Sequence, residues 1–344
     1  MSSPRFRLPA EWDPQAGVII AWPHEATDWS PRLAEIENAY AALAGAIARF
    51  ENLVVCVADV ALREHVARKL AVAGAPAERV RFVQAEYDDT WLRDSGPITL
   101  TDGAGFRLLD FRFTGWGGKF DADRDDRLIE TLVDRGLFRT SARKRIDWAL
   151  EGGAIESDGR GTILTTWRCL HQRHPSMSRE EMTRLLEDSF DADRVLWLDH
   201  GYLEGDDTDA HIDTLARFAP DDAIVHQACN DMADPHFDQL ARMREELTAL
   251  RTKDDRPYRL HALPWPRAIT EEGRRLAASY ANYLIVNGAV LVPAYGDPAD
   301  QEAAAVIAAA HPQREIVPID ARPLIWQNGS VHCLTMQVPA GALA

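Results

Sequence analysis

"DDAIVHQAC" (221–229), "HFDQLARMREELTAL" (236–250) and "YRLHALPW" (258–265) follow one another as an apolar strand-like run, an amphipathic helix-like run and a second strand-like run. The same order recurs. "GVIIAWP" (17–23), "PRLAEIENAYAALAGAIARF" (31–50) and "NLVVCVAD" (52–59) repeat it, as do "GTILTTW" (161–167), "SREEMTRLLEDSF" (178–190) and "RVLWLD" (194–199). "GAVLVPAY" (288–295), "DPADQEAAAVIAAAH" (297–311) and "REIVPID" (314–320) repeat it again. Between these units lie hairpin patterns, "PITLTDGAGFRLLDF" around Asp102-Gly103 and "AIESDGRGTILTT" around Asp158-Gly159. Strands alternating with helices suggest a doubly wound sheet, but the interspersed hairpins favour repeated mixed α/β units arranged around an axis. No Pro/Ser/Gly-rich linker divides the chain, so residues 1–344 read as one domain.

The composition, 46% hydrophobic and 27% charged over 344 residues, is that of a globular chain with a sizeable core. A formal charge of −16 without a Lys/Arg-rich block argues against nucleic acid or an anionic membrane as partner and suits a small cation better. "MSSPRFRLPAEWDP" has no apolar signal core, and a cytosolic protein is expected. Cys56, Cys169, Cys229 and Cys333 form no CxxC pair and read as free thiols. Cys56 and Cys229, in or at the end of strand-like runs, read as core packing.

No GxGxxG follows a strand and no GxxxxGK[ST] is present, so no nucleotide cofactor is expected. "DADRDDRLIETL" (121–132) imitates a calcium loop, but Asp126 replaces the required Gly and Leu132 the closing Glu; a solvated turn is expected. Cys169, His171 and His174 could ligate zinc, yet no second ligand pair has the usual spacing, and no metal is expected.

Four segments carry candidate chemistry, each beside a structural explanation. "YDDTWLRDSGP" (87–97) sets Trp91, Arg93 and Asp94 before a Gly-Pro turn, or else supplies an Arg93–Asp94 surface pair and a core Trp. "LEGGAIESDG" (150–159) places Glu151 before two glycines that allow close backbone approach, or is a strained turn with an exposed acid. "LEGDDTDAHID" (203–213) gathers acids with His211 and Asp213, or is a solvated acidic loop. "SVHCLTMQ" (330–337) makes Cys333 a nucleophile or a core residue. Together they supply a thiol, a base and several carboxylates. A guanidinium carbon is a poor electrophile, so a site acting on it must hold the planar cation between carboxylates and bring up a thiolate.

The sequence resembles the agmatine deiminase and bacterial peptidylarginine deiminase family of guanidine-modifying enzymes nearly end to end. "LPAEWDPQAGVIIAWPHEATDW" (8–29), "WLRDSGP" (91–97), "GWGGKF" (115–120), "LEGGAIESDGRGTILTT" (150–166), "DDTDAHID" (206–213), "ASYANYLIVNGAVLVPAYGD" (278–297) and "HCLTMQ" (332–337) follow in the family's order. The resemblance implies the pentein fold, an α/β-propeller of five ββαβ-like units about a pseudo-fivefold axis. It also implies a nucleophile at Cys333, the H-x-D pair at His211 and Asp213, the W-x-R-D aspartate at Asp94 and the E-G-G glutamate at Glu151. Asp94 and Asp213 are then expected to clamp the guanidinium, with Trp91 and Trp116 beside them in substrate binding. His211 is expected to move protons and Glu151 to orient it, without a cofactor. The implied reaction is hydrolysis of agmatine to N-carbamoylputrescine and ammonia. Deimination of arginine, peptidyl-arginine or another small guanidine, amidinotransfer, and a non-catalytic cation-binding role stand behind it. The motifs leave room for a homo-oligomer. Two departures are visible: Gln327, Asn328, Gly329, Ser330 and Val331 stand where agmatine deiminases commonly carry a G-G-G-N run, and Ala210 stands where the family has Gly.

Overall fold

Parallel neighbours need a connection that returns the chain to the starting end, and a helix is the usual one. The computed structural model describes residues 5–140 and 142–344. The chain forms two compact units, one of Met1–Gly152, Ile285–Asn287 and His332–Ala344, the other of Gly153–Leu284 and Gly288–Val331.

In the first unit, Gln15–Ala21 pairs antiparallel with Thr335–Pro339 and parallel with Asn52–Val57, which pairs parallel with Val80–Gln84. The C-terminal strand thereby brings Cys333 to the edge of the first strand's sheet. The crossover helix Leu33–Phe50 buries Ile36, Tyr40, Leu43 and Ile47, a stripe at helical spacing. A second sheet joins the hairpin Ile98–Thr101 and Phe106–Arg112 to the parallel strand Arg143–Ala149. Its turn follows from chemistry: the Asp102 carboxylate accepts the Ala104 and Gly105 N–H groups at 2.9 and 2.7 Å, and Gly103 takes φ +87°.

In the second unit, Ile155–Ser157 and Thr162–Thr166 form a hairpin, and Arg194–Leu198 adds in parallel after the helix Arg179–Phe190. Ser178 and Glu181 close a capping box at that helix's start. The hairpin Ala216–Ala219 and Ala223–Gln227 with Arg259–Leu263 repeats the plan through the helix Phe237–Ala249. Ala289–Ala294 and Glu315–Asp320 pair in parallel through Asp300–Ala310. The fold is therefore α/β with repeated mixed sheets.

Several elements depart from the sequence pattern. Helix Val60–Val72 and strand Val80–Gln84 extend the first sheet, yet the helix buries only Val66 and Leu70, so its pattern is faint. Arg143–Ala149 is a strand despite its charge because Arg143 and Arg145 reach the buried Asp110 carboxylate at 2.5 and 2.8 Å. Cys229 lies beyond the strand that ends at Gln227 and is half-buried, not core. The 121–132 segment is more than a solvated turn: buried Asp125 accepts the Asp88 N–H at 2.8 Å, and Asp126 accepts the Phe113 N–H at 2.6 Å. Among the described residues no helix is long and apolar enough to cross a membrane.

Candidate active site

In the first unit, Asp94 sits on the single helical turn Leu92–Ser95, which is buried throughout. Gly96 caps it with an N–H that reaches the Leu92 carbonyl at 2.8 Å, an approach that needs glycine because a Cβ there would meet the same oxygen at 2.3 Å. Arg93 and Asp94 are 4% and 6% exposed, so they are not a surface pair. The Asp94 carboxylate accepts the Trp116 indole N–H at 2.9 Å. Trp116 has φ +55° within the Gly115–Gly118 turn, a conformation disfavoured for a bulky side chain, and its ring is packed edge-on by Phe113 and Phe120. Trp116 thus presents its N–H to Asp94 at a backbone cost, and two of the sequence-selected residues meet. Trp91 is buried against Trp29, with ring centroids 5.7 Å apart, and Trp29 donates to Thr90 Oγ1 at 2.8 Å.

Glu151 is buried, not the exposed acid of the structural explanation. Gly152 follows it where a Cβ would come within 2.1 Å of the Arg93 carbonyl oxygen, so the glycine is needed for this close approach. Cys333 is 4% exposed, and its carbonyl accepts the Arg93 backbone N–H at 3.1 Å. Cys56, by contrast, lies inside the strand Asn52–Val57, and burial pushes its thiol up to about 12. Cys56 is therefore a thiol at neutral pH, as core packing requires.

Beside the Trp91 segment lies a pair of unusual acids. Burial raises the Asp89 carboxyl to about 8, reinforced by Asp28 and Asp125. Burial likewise raises Asp125 to about 7 against the backbone N–H groups of Asp88 and Asp89.

In the second unit, His211 and Asp213 flank the start of the turn Ile212–Thr214, and both are fully buried. The loop before them is half-exposed and built by acids bonding to their own backbone. Asp206 accepts the Thr208 N–H at 2.9 Å and the Ala210 N–H at 2.7 Å, and Arg173 reaches Asp209 at 2.7 Å. Asp209 and Ala210 take φ +66° and +71° in succession. Ala210 therefore occupies a left-handed position that suits glycine, and the Thr166 hydroxyl holds its carbonyl at 2.7 Å. Behind the turn, the Thr214 hydroxyl donates to the His211 carbonyl at 2.9 Å and Ser279 Oγ to the Thr214 carbonyl at 2.6 Å. Asn328, in the departure from the G-G-G-N run, also has φ +71° and donates to Asp207 at 3.0 Å. An asparagine tolerates that backbone better than other non-glycine residues.

Of the residues weighed as zinc ligands, Cys169 and His171 belong to the helix Trp167–Arg173 and His174 ends it. The His171 ring stacks on Trp167 at 4.6 Å. Sequence reading missed Glu11 and His332. Both are buried, and His332 Nε2 lies 2.7 Å from Glu11 Oε2. The motifs quoted above contain both residues, but nothing in a linear sequence joins positions so far apart.

The sequence profile of the Porphyromonas-type peptidyl-arginine deiminases matches residues 7–339. Agmatine deiminase from Pseudomonas putida is 35% identical, with 98% of this chain and 98% of that one aligned. A Porphyromonas gingivalis protein provisionally assigned as an arginine deiminase superimposes with a TM-score of 0.92 at 42% identity, covering 99% of this chain and 100% of its own. Agmatine deiminase from C. jejuni, solved as a cysteine-to-serine variant with substrate bound, superimposes with a TM-score of 0.88 at 32% identity, covering 98% and 97%. The protein is thus an enzyme of the hydrolase class that acts on C–N bonds. Within that class, the chain belongs to the Porphyromonas-type peptidyl-arginine deiminase family.

Proposed function

We propose that the protein deiminates agmatine, producing N-carbamoylputrescine and ammonia. The observation that supports this most is its end-to-end similarity to agmatine deiminases, beside a sequence that carries a cysteine, a histidine and carboxylates in the segments that resemble theirs. The residues named here act in one pentein domain, as the family resemblance implies.

In this reading Asp94 and Asp213 face the guanidinium, where charge-assisted contacts fix a planar cation. Trp116 steadies Asp94 through the 2.9 Å hydrogen bond, and Trp91 adds an apolar wall. The Cys333 thiolate attacks the central carbon and forms a C–S bond. The C–N bond then breaks, and His211 supplies the proton with which ammonia departs. Water deprotonated by His211 attacks the resulting thiouronium carbon. The C–S bond breaks, the thiolate is regenerated and the ureido product leaves. Glu151 stabilises the protonated His211. The formal charge of −16 favours encounter with a cationic substrate.

Deimination of arginine or peptidyl-arginine is the second reading, favoured by the 42% identical P. gingivalis protein. Agmatine, arginine, a peptidyl-arginine and a methylated arginine offered separately, with ammonia and ureido product both measured, decide between them. Matched release from agmatine at the highest kcat/KM is expected. Faster release from an arginine substrate would favour the second reading, and a guanidine consumed without ammonia would indicate amidinotransfer.

A further inference from the structure

Arg93 contacts Cys333 and lies next in the chain to Asp94, and its carbonyl packs against the glycine that follows Glu151. Its backbone N–H holds the Cys333 carbonyl at 3.1 Å, and its Nε–H reaches the His332 carbonyl at 3.4 Å. Its own carbonyl is the surface against which Gly152, next to Glu151, must pack. Asp94 is the next residue in the chain. Its guanidinium is buried between the Met336 sulfur, 3.9 Å from Nη1, and Glu11 Oε2, 3.8 Å from Nη2.

Glu11 completes the arrangement. It is 7% exposed, and its two oxygens do different work. Oε1 accepts the Ile285 N–H at 2.7 Å, and Oε2 meets His332 Nε2 at 2.7 Å on the side that faces Arg93. One carboxylate therefore ties the N-terminal segment to the imidazole beside the nucleophile and to the guanidinium whose Nε–H reaches the His332 carbonyl.

We propose that Glu11 and Arg93 are positioning residues, a buried ionic hub that sets Cys333 relative to Asp94 and Glu151. Burying such a pair costs desolvation, and apolar residues of the same volume often stabilise a core equally well. What the pair adds is a definite position. Bonds to two successive carbonyls restrain the nucleophile's backbone, and a misplacement of about 1 Å at a reacting group can cost about a hundredfold in rate. The proposal rests on Cys333 as nucleophile.

The test compares Glu11→Gln, Arg93→Lys and the double variant in the full chain, with kcat and KM for agmatine measured per folded molecule and melting followed separately. Glu11→Gln keeps the volume and one acceptor oxygen, but removes the charge and turns the other oxygen into an NH2 donor. It is expected to lower kcat about tenfold with KM nearly unchanged, and Arg93→Lys to lower it further. The double variant should be no worse than Arg93→Lys alone, because both changes act through the same backbone. A lower melting temperature with wild-type kcat, or independent multiplying losses, would overturn the hub. Should either variant not fold, Glu11→Asp keeps the charge but shortens its reach, and a kcat equal to wild type there would overturn the hub. Cys333→Ala is the separating arm. If that protein turns over, the nucleophile assignment fails; if it is inactive while Glu11→Gln keeps full kcat, only the hub fails.

Discussion

The backbone around Cys333 is tied down by buried charge, with Glu11 against His332 and Arg93, whereas the loop leading to His211 is tied down by short acids bonding their own neighbours. The first arrangement is dry and links residues far apart in sequence. The second is half-exposed and strained, with Asp209 and Ala210 both at positive φ, and adds bonds from Arg173, Thr166 and Asn328 to those within the loop. Buried ionic contacts are costly to break because each loss strands a charge. A strained loop instead stores about 1–3 kcal/mol per disfavoured residue, which the fold around it must offset. The side of the reaction assigned to bond-making is thus held by buried charge, and the side assigned to proton transfer by a strained, half-exposed loop.

The sharpest way to break this contrast is Cys333→Ala. It should lower turnover by about a thousandfold or more, while Cys56→Ala leaves kcat unchanged, and ammonia release by each folded variant checks both. Near-normal activity without Cys333 would reduce its tight setting to core packing.

His211→Ala should lower the chemical step about a hundredfold or more with analogue binding intact. Asp94→Asn should weaken binding and rate together, because it leaves the substrate cation unpaired. Mass spectrometry of His211→Ala mixed with agmatine should reveal a thiouronium adduct on Cys333. Loss of analogue binding in His211→Ala but not in Asp94→Asn would exchange the two roles.

The first unit's raised acids give a pH signature. Asp89 and Asp125 hold protons more tightly folded than unfolded, so their contribution to stability is fully present below the unfolded carboxyl range and is lost as pH rises through about 7 and about 8. Asp89→Asn should therefore be more stable than wild type in alkali, with the difference shrinking as pH falls towards about 4. Urea midpoints across that range measure it, and a pH-independent difference would contradict the assignment.

The smallest effect sharpens the view of the loop. Ala210→Gly should stabilise the protein by about 1 kcal/mol, since relief of the left-handed strain exceeds glycine's extra unfolded-state entropy. A loss of stability in denaturant would mean that the backbone at 210 is unstrained.

The strand–helix–strand periods and the hairpin turns at Asp102-Gly103 and Asp158-Gly159 were legible in the sequence. Each is a local property, decided by residues within a few positions of one another. The family motifs were legible as well, because a cysteine, an H-x-D pair and an E-G-G turn are recognisable wherever they fall. Strand Arg143–Ala149 was hidden because its charges make sense only beside Asp110. Whether Asp94 and Glu151 were buried or merely solvated acids was likewise open until their surroundings were known. Glu11 meeting His332 and Arg93, and Gly152 pressing on the Arg93 carbonyl, were decided by tertiary structure alone. Periodicity records which face of an element is buried, but the partner of a buried charge depends on how distant segments pack, and no local pattern encodes that distance.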